Sequence, residues 1–161
     1  MTDKEYNKCV NAYADNVYRF ILKNLGHAAD AEDIVQGAFE KLWCNRLQVE
    51  NDRCKSYLFT IAYHQMIDHI RKTKRVSFKE SFSESALVYN QPQNDAKKIL
   101  QEALNKLNAT QKSLVLLKDY EGYSYQEIGL ITNLSESQVK VYLHRARLIL
   151  KQYIISPQNV L

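Results

Sequence analysis

Apolar and polar residues alternate at helical spacing through most of this chain, and the clearest pattern lies at residues 124–150. A capping box pairs a Ser or Thr with a Glu or Gln three residues later, and it marks a helix start. Two such boxes occur in this stretch: Ser124 with Glu127, and Ser135 with Gln138. The pattern predicts a short helix that ends at about Thr132 and a longer helix that runs from Glu136 past Leu150. A tight turn at Asn133 would join them.

These two helices can share one apolar side, and the longer helix also has a basic side. The apolar residues that can be buried together are Ile128, Ile131, Leu134, Val139, Leu143, Ala146 and Leu150. The longer helix has no acidic residue from Gln138 to Lys151, and its outer side carries Lys140, Val141, His144 and Arg145. A short helix, a tight turn and a longer basic helix predict a helix-turn-helix motif, whose second helix enters the DNA major groove. The alternative is an ordinary amphipathic helix with a solvated basic face.

The rest of the chain also predicts helices. The first runs from Thr2, which forms a capping box with Glu5, to Gly26. The others run from Asp30 to Asn45, from Arg53 to Arg75, from Asp95 to about Leu107, and from Thr110 to a turn at Gly122. No Asn-Gly or Asp-Gly turn joins alternating strands, and Gly and Pro number only four and two. The fold class is therefore predicted to be all-α.

Residues 76–94 interrupt the helical pattern, because they are rich in Ser, Asn and Gln and include Pro92. We interpret residues 77–94 as a linker between two small helical domains, at residues 1–76 and 95–161. A flexible tether between two basic domains would let them bind two separated sites together.

Acidic residues cluster at the start of the second predicted helix: Asp30, Glu32 and Asp33. Such acids complement the helix dipole, and capping alone explains them. The other interpretation is a docking patch for a basic or polar partner, which Gln36, Glu40 and Lys41 would extend. Physical chemistry alone favours capping.

The third predicted helix, at residues 53–75, is apolar or aromatic nearly all round. It must bury one side, and the other side can offer aromatic rings to a partner. Four cations crowd its C-terminal end: Arg71, Lys72, Lys74 and Arg75. Basic groups beside aromatic rings fit single-stranded nucleic acid, whose bases stack while its phosphates pair with cations. The alternative is a core helix with a basic end, which the helix dipole also favours.

Composition narrows the function classes. The 161 residues carry a net charge of +4 and are long enough for two small helical domains. The odd set Cys9, Cys44 and Cys54 argues against a disulfide framework, and its spacing with His64 matches no usual zinc site. No signal peptide or membrane-spanning run is apparent, so a reduced cytoplasmic setting is expected. Since no nucleotide-binding or metalloprotease motif occurs, the sequence predicts no enzyme, cofactor or metal.

Three stretches together resemble one family, the extracytoplasmic-function (ECF) group of the bacterial sigma-70 family. Residues 31–43 (AEDIVQGAFEKLW) are similar to region 2.2, residues 56–75 to regions 2.3 and 2.4, and residues 104–150 to region 4. Their order and spacing match, and the linker fits a group that lacks the sigma-3 domain. The resemblance implies a non-enzymatic protein that binds core RNA polymerase and directs it to promoters.

The resemblance also implies roles for particular residues. The helix with the acidic start would dock on the β′ clamp helices, with Asp33 and Gln36 at the centre and Asp30, Glu32 and Glu40 around them. The third helix would recognise and open the −10 element through Lys55, Tyr57, Tyr63, His64, Asp68, Arg71 and Lys72. The recognition helix would read the −35 element through Gln138, Lys140, Val141, His144 and Arg145. Arg147 would serve phosphates or the domain's own acids.

Further partners follow from the same resemblance. An apolar surface of the second domain would meet the β-flap, and a membrane-bound anti-sigma factor is a partner by analogy. The chain departs from the family pattern at His64, which replaces a frequent Asn, and at Gln138, which replaces a common Thr. Gly129 and Asn133 replace the usual Ala and Gly of the motif.

Two other functions remain open on the sequence. A stand-alone helix-turn-helix regulator would bind DNA without joining polymerase, so polymerase binding separates it from a sigma factor. A small helical nuclease would need a metal-binding carboxylate cluster, for which Asp30, Glu32 and Asp33 are the densest acids. Divalent-metal-dependent cleavage of DNA would support that hypothesis.

Overall fold

The computed structural model describes residues 1–79 and 95–156, without the side chains of 76–79, and within these ranges all regular elements are helical. Its helices are α1 (Asp3–Leu25), α2 (Ala28–Asn45), α3 (Cys54–Lys79), α4 (Asp95–Asn105), α5 (Ala109–Val115), α6 (Tyr125–Thr132) and α7 (Glu136–Ile154). A 3₁₀ turn (Asn51–Arg53) precedes α3, and a π-helical turn (Leu116–Tyr120) continues α5. The all-α prediction with two helical units is confirmed. Most of the predicted linker lies outside the described residues.

All three predicted capping boxes are present. In α7, the Gln138 N–H donates to Ser135 Oγ at 3.1 Å, and the Ser135 N–H donates to Gln138 Oε1 at 2.9 Å. The same reciprocal pair occurs at Thr2 with Glu5 and at Ser124 with Glu127. These local hydrogen bonds explain why α1, α6 and α7 begin where the sequence predicts.

Two other predicted starts are wrong. The N-cap of α2 is His27 rather than Asp30, because His27 Nδ1 accepts the Asp30 N–H at 3.3 Å and Asp30 already lies in the first turn. The N-cap of α5 is Asn108 rather than Thr110, because Asn108 forms a capping box with Gln111. In addition, α3 continues to Lys79, beyond the predicted end at Arg75.

The first unit is the bundle of α1, α2 and α3, which pack pairwise against one another. Its buried residues come from one side of each helix. They include Val17, Phe20 and Ile21 of α1; Ala31, Ile34, Ala38 and Leu42 of α2; and Leu58, Phe59, Ala62 and Met66 of α3. The second unit is formed by α4 to α7, where α7 packs on α4, α5 and α6. This arrangement leaves the outer sides of α2 and α7 accessible.

The turn of the helix-turn-helix motif depends on two unusual positions. Asn133 adopts the left-handed conformation, with φ 60°, and ends α6. The Leu134 N–H donates to the Gly129 carbonyl at 3.1 Å. A Cβ on Gly129 would lie 2.7 Å from the Leu134 carbonyl oxygen, so the chain passes the helix closer than any side chain allows.

The two units pack directly against each other. Phe59 of α3 contacts Tyr123, the residue before the α6 cap, with 5.3 Å between ring centroids. Asn24 at the end of α1 accepts from Ser113 Oγ at 3.0 Å through its side chain and from Lys112 Nζ at 3.2 Å through its carbonyl. One core therefore runs through both units.

Replacement of Gly129 by Ala is expected to lower the free energy of unfolding by about 1–3 kcal/mol, as overpacking does. The added Cβ would meet a backbone carbonyl that can retreat only if the turn opens. Denaturant-induced unfolding, followed by circular dichroism, measures the change.

The matched control is Gly37→Ala in α2, where the new Cβ would lie 2.9 Å from Gln65 Oε1, the end of a flexible side chain. Because Ala favours a helix over Gly by about 1 kcal/mol, this variant should be as stable as the parent or more stable. Equal destabilisation by both variants would contradict the close approach at Gly129.

Candidate nucleic-acid interface

The outer side of α7 is exposed, as its helical spacing predicts. Every residue predicted there to contact DNA is accessible: Gln138, Lys140, Val141, His144, Arg145 and Arg147. The opposite side is buried through Val139, Leu143 and Ala146. Leu148, which the sequence analysis did not assign, continues the outer side and is 45% exposed. The exposed line combines a donor-rich part with apolar groups, a mixture that suits base edges and thymine methyl groups.

Two cations of α7 are engaged within the second unit. Arg147 Nη2 donates to Asp119 Oδ1 at 2.9 Å, and this hydrogen bond raises the pKa of the guanidinium. Lys140 Nζ lies 3.3 Å from Glu136 Oε1, between largely exposed side chains, so that pair is screened and weak. Among the described residues Arg145 has no ion pair. It is therefore the cation of the outer side that is most available to DNA.

One line of predicted −10 residues is accessible on α3. His64, Asp68, Arg71 and Lys72 are exposed, and their spacing places them on one side of the helix. The His64 ring lies edge-on to Tyr63, with 5.4 Å between centroids. These residues form a polar, largely basic stripe along α3.

Tyr57 lies at a separate place, beside the loop that joins α2 to α3. Its hydroxyl accepts from Asn45 Nδ2 at 3.0 Å. Together with Tyr57, the loop borders an open cavity of about 280 Å³, whose other lining residues are Asn45, Gln48, Val49, Glu50 and Arg53. These loop residues were not predicted, because residues between two helices give no periodic signal in the sequence. The cavity offers amide and charged groups next to an aromatic ring.

Lys55 and Tyr63, also predicted to meet the −10 element, face the second unit. Lys55 Nζ lies 4.9 Å from the centroid of the Tyr123 ring. Tyr63 is only 6% exposed, and burial raises the pKa of its phenol. In this arrangement the second unit covers both groups.

The predicted docking residues on α2 are mostly exposed. Glu32, Asp33, Gln36 and Glu40 are accessible, and Gln36 Nε2 donates to Glu40 Oε1 at 3.4 Å. Trp43 lies further along the same side of the helix and is 39% exposed, and Leu47, in the turn that follows α2, is 82% exposed. We call the residues Asp33, Gln36, Glu40, Trp43 and Leu47 the α2 stripe. It combines polar groups with an apolar end.

Asp30 differs from the other acids of α2 because it is half-buried. Its Oδ2 lies 3.2 Å from His27 Nδ1 and 3.3 Å from His69 Nε2, so it links the start of α2 to α3. Asp30 is therefore engaged within the first unit.

The described residues contain no group of three or more His, Cys, Asp or Glu side chains that could hold a metal ion. The acids Asp30, Glu32 and Asp33 thus do not assemble into the cluster that a nuclease would need. Cys9 and Cys54 are buried next to each other, and burial raises the pKa of the Cys9 thiol. No described helix is long and apolar enough to cross a membrane.

Comparison with known families gives two matches, in the same order as the two units. The model "Sigma-70 region 2" matches residues 9–76, and the model "Sigma-70, region 4" matches residues 97–150. The first match covers most of α1, all of α2 and most of α3. The second covers the helix-turn-helix motif and the helices before it.

Characterised proteins with similar sequences carry matching names. RNA polymerase sigma factor YlaC of Bacillus subtilis is 28% identical over 149 residues, which cover 87% of this chain and 86% of YlaC. ECF RNA polymerase sigma factor SigW of the same organism is 28% identical over 161 residues, which cover 90% of this chain and 86% of SigW.

Solved structures agree with the sequence matches. Sigma factor RpoE in complex with the anti-sigma factor NepR, from Bartonella quintana, is 25% identical and has a TM-score of 0.80, covering 96% of this chain and 99% of RpoE. The fold is also that of CnrH in complex with the cytosolic domain of CnrY, with a TM-score of 0.69 at 19% identity. The chain therefore belongs to the sigma-70 family, as a member of its ECF group of RNA polymerase sigma factors.

Proposed function

We propose that this chain joins core RNA polymerase in the cytoplasm and directs it to promoters that have −35 and −10 elements. The supporting observation is that region 2 and region 4 lie in separate helical units, each with its own exposed polar side. The chain supplies recognition and strand capture, and polymerase supplies the nucleotide chemistry. No cofactor is required for these roles.

The α2 stripe is the proposed contact with the β′ clamp helices of core polymerase. Asp33, Gln36 and Glu40 provide polar groups, and Trp43 and Leu47 provide apolar area next to them. Aromatic residues at the centre of an interface often carry much of its binding energy. Glu32 would lie at the rim, and Asp30 would hold the helix in place. An apolar surface of the second unit would meet the β-flap.

The outer side of α7 is the proposed reader of the −35 element. Gln138, Val141, His144 and Arg145 would face base edges in the major groove, while Lys140 would face the phosphates. The contact between Arg147 and Asp119 supports a structural role for Arg147 within the second unit.

The −10 element is proposed to meet α3 and the adjoining loop. The stripe of His64, Asp68, Arg71 and Lys72 would follow the strand, and the cavity beside Tyr57 would take a base turned out of the stack. Lys55 and Tyr63 would join only after the second unit moves away from them.

An anti-sigma factor is a further proposed partner. RpoE and CnrH, whose structures resemble this one, were each solved with a protein of that kind or with the cytosolic domain of a partner. The competing hypothesis of a stand-alone regulator predicts DNA binding by the free chain and no complex with polymerase. Co-elution with core polymerase at moderate salt separates the two.

Replacement of Asp33 and Gln36 by Ala is expected to weaken binding to core polymerase by at least about 1 kcal/mol, the usual threshold for an important interface residue. The variant should still fold, because both side chains are exposed. Its matched control is Asp15→Ala, an exposed aspartate on α1, which should bind normally. If the double variant also binds normally, α2 is only a capped structural helix.

Replacement of Arg145 by Ala is expected to weaken DNA binding and to leave polymerase binding intact. The reconstituted holoenzyme should bind promoter duplex more weakly by about 1–3 kcal/mol, the discrimination that one good base contact provides. Co-elution with core polymerase should be unchanged. Equal loss of promoter binding and polymerase binding would contradict the assignment of separate surfaces.

Replacement of Tyr57 by Ala should weaken binding of the holoenzyme to a single-stranded −10 oligonucleotide by about 1–3 kcal/mol, the contribution of stacking one base on an aromatic ring. Tyr57→Phe keeps the ring and removes only the hydrogen bond to Asn45, so it should retain most of the affinity. Similar losses for both variants would show that the hydroxyl matters and that stacking does not.

A further inference from the structure

Side chains from two elements, the π-helical turn and α7, converge on Tyr125, the first residue of α6. Lys118 Nζ, from the π-helical turn, lies 4.6 Å from the centroid of its ring. Lys140 Nζ, from α7, lies 5.5 Å from the same centroid. Arg147, also from α7, is hydrogen-bonded to Asp119 of the π-helical turn. The ring is half-buried, so its position is fixed by the motif beneath it.

The two lysines differ from Arg147 in the hydrogen bonds that their charged groups already make. The Arg147 guanidinium is already paired with a carboxylate, whereas an ammonium over a ring uses no hydrogen-bond acceptor and keeps its N–H groups available. Lys140 has one screened ion pair, with Glu136. Lys118 forms no ion pair with any described residue, and the Tyr125 ring is the contact that orients it.

The position of this group matches the path of a DNA backbone. In a helix-turn-helix motif the second helix lies in the major groove while the first helix crosses the phosphate backbone. Tyr125 opens the first helix, and Lys140 lies on the second. Phosphates that border the groove would therefore pass the edge of the Tyr125 ring, where the ammonium groups of Lys118 and Lys140 are held.

We propose that Lys118, Tyr125 and Lys140 form a phosphate-binding patch beside the recognition helix. Lys118 contacts the DNA backbone although it lies outside the helix-turn-helix motif, and Tyr125 is the positioning residue that holds both ammonium groups. The patch rests on the proposed function and adds to it: it contributes affinity that is independent of sequence, and the outer side of α7 contributes the sequence preference.

The test uses the holoenzyme reconstituted with core polymerase, a promoter duplex and a duplex with a scrambled −35 element. Binding is measured by fluorescence anisotropy over a series of salt concentrations. Lys118→Ala should weaken binding to both duplexes by the same factor. It should also reduce the slope of log K against log salt by about 0.9, because one phosphate contact is lost.

The second unit offers a matched control. Lys106 Nζ lies 5.6 Å from the centroid of the Tyr153 ring, so Lys106→Ala removes a lysine from a comparable aromatic pair at the C-terminal end of α7. Its salt slope should equal that of the parent. An unchanged slope for Lys118→Ala, or an equal change for Lys106→Ala, would overturn the proposal.

Two variants of Tyr125 test its positioning role. Tyr125→Phe keeps the ring under both ammonium groups and should keep the salt slope, whereas Tyr125→Leu should lower it. If Leu leaves the slope unchanged while Lys118→Ala lowers it, Tyr125 does not position the lysines. Thermal unfolding of each variant identifies one that fails to fold, and Lys118→Ala then remains as the test.

The same measurements distinguish a failure of this patch from a failure of the proposed function. If the parent holoenzyme does not prefer the promoter over the scrambled duplex, the −35 assignment itself fails. If the parent shows that preference and loses it on Arg145→Ala, while Lys118→Ala leaves the salt slope unchanged, only the patch is wrong.

Discussion

The two units are joined by Phe59, whose ring contacts one aromatic ring from each side. The centroid distances are 5.5 Å to Phe20 of α1 and 5.3 Å to Tyr123 of the second unit, and all three residues are buried. Each such pair adds about 0.5–1.5 kcal/mol beyond the area that it buries. The packing has a cost, because the Tyr123 hydroxyl is buried without a hydrogen-bond partner among the described residues, and burial raises the pKa of this phenol. An unpaired buried hydroxyl costs about 1–3 kcal/mol. This cost offsets much of the gain from the ring contacts, so the two units are held together only weakly by them.

This contact decides which recognition groups are accessible. Lys55 and Tyr63 lie against the second unit, whereas the α2 stripe and the outer side of α7 face solvent. In the proposed function, the covered groups meet a separated DNA strand and the exposed surfaces meet polymerase and duplex. Docking and duplex recognition would then require no rearrangement of the groups involved. Strand capture by Tyr63 would require the Phe59–Tyr123 contact to open, so it would follow the other steps.

Local patterns explain which parts of the fold were predictable. The capping boxes at Thr2, Ser124 and Ser135 use residues three apart, and the exposed side of α7 follows from helical periodicity alone. The His27 cap was not predictable, because His is an uncommon N-cap and Asp30 is a better candidate by type. The burial of Tyr63 and the pairing of Arg147 with Asp119 depend on contacts between residues distant in the chain. Periodicity identifies a buried side of a helix, but it does not say which element covers that side.

The direction of α7 depends on contacts at its start and on a contact further along its length. At its start, Asn133 turns the chain in the left-handed conformation, and the absence of a Cβ on Gly129 lets the Leu134 carbonyl approach α6. Further along, Arg147 binds Asp119 of the π-helical turn. A π-helical turn places its side chains in a different register from an α-helix, which brings Asp119 to Arg147 while Lys118 reaches the Tyr125 ring. The π-helical turn therefore contributes both a contact that fixes the recognition helix, through Asp119, and a cation beside that helix, Lys118. The geometry of the motif and its charge depend on the same turn.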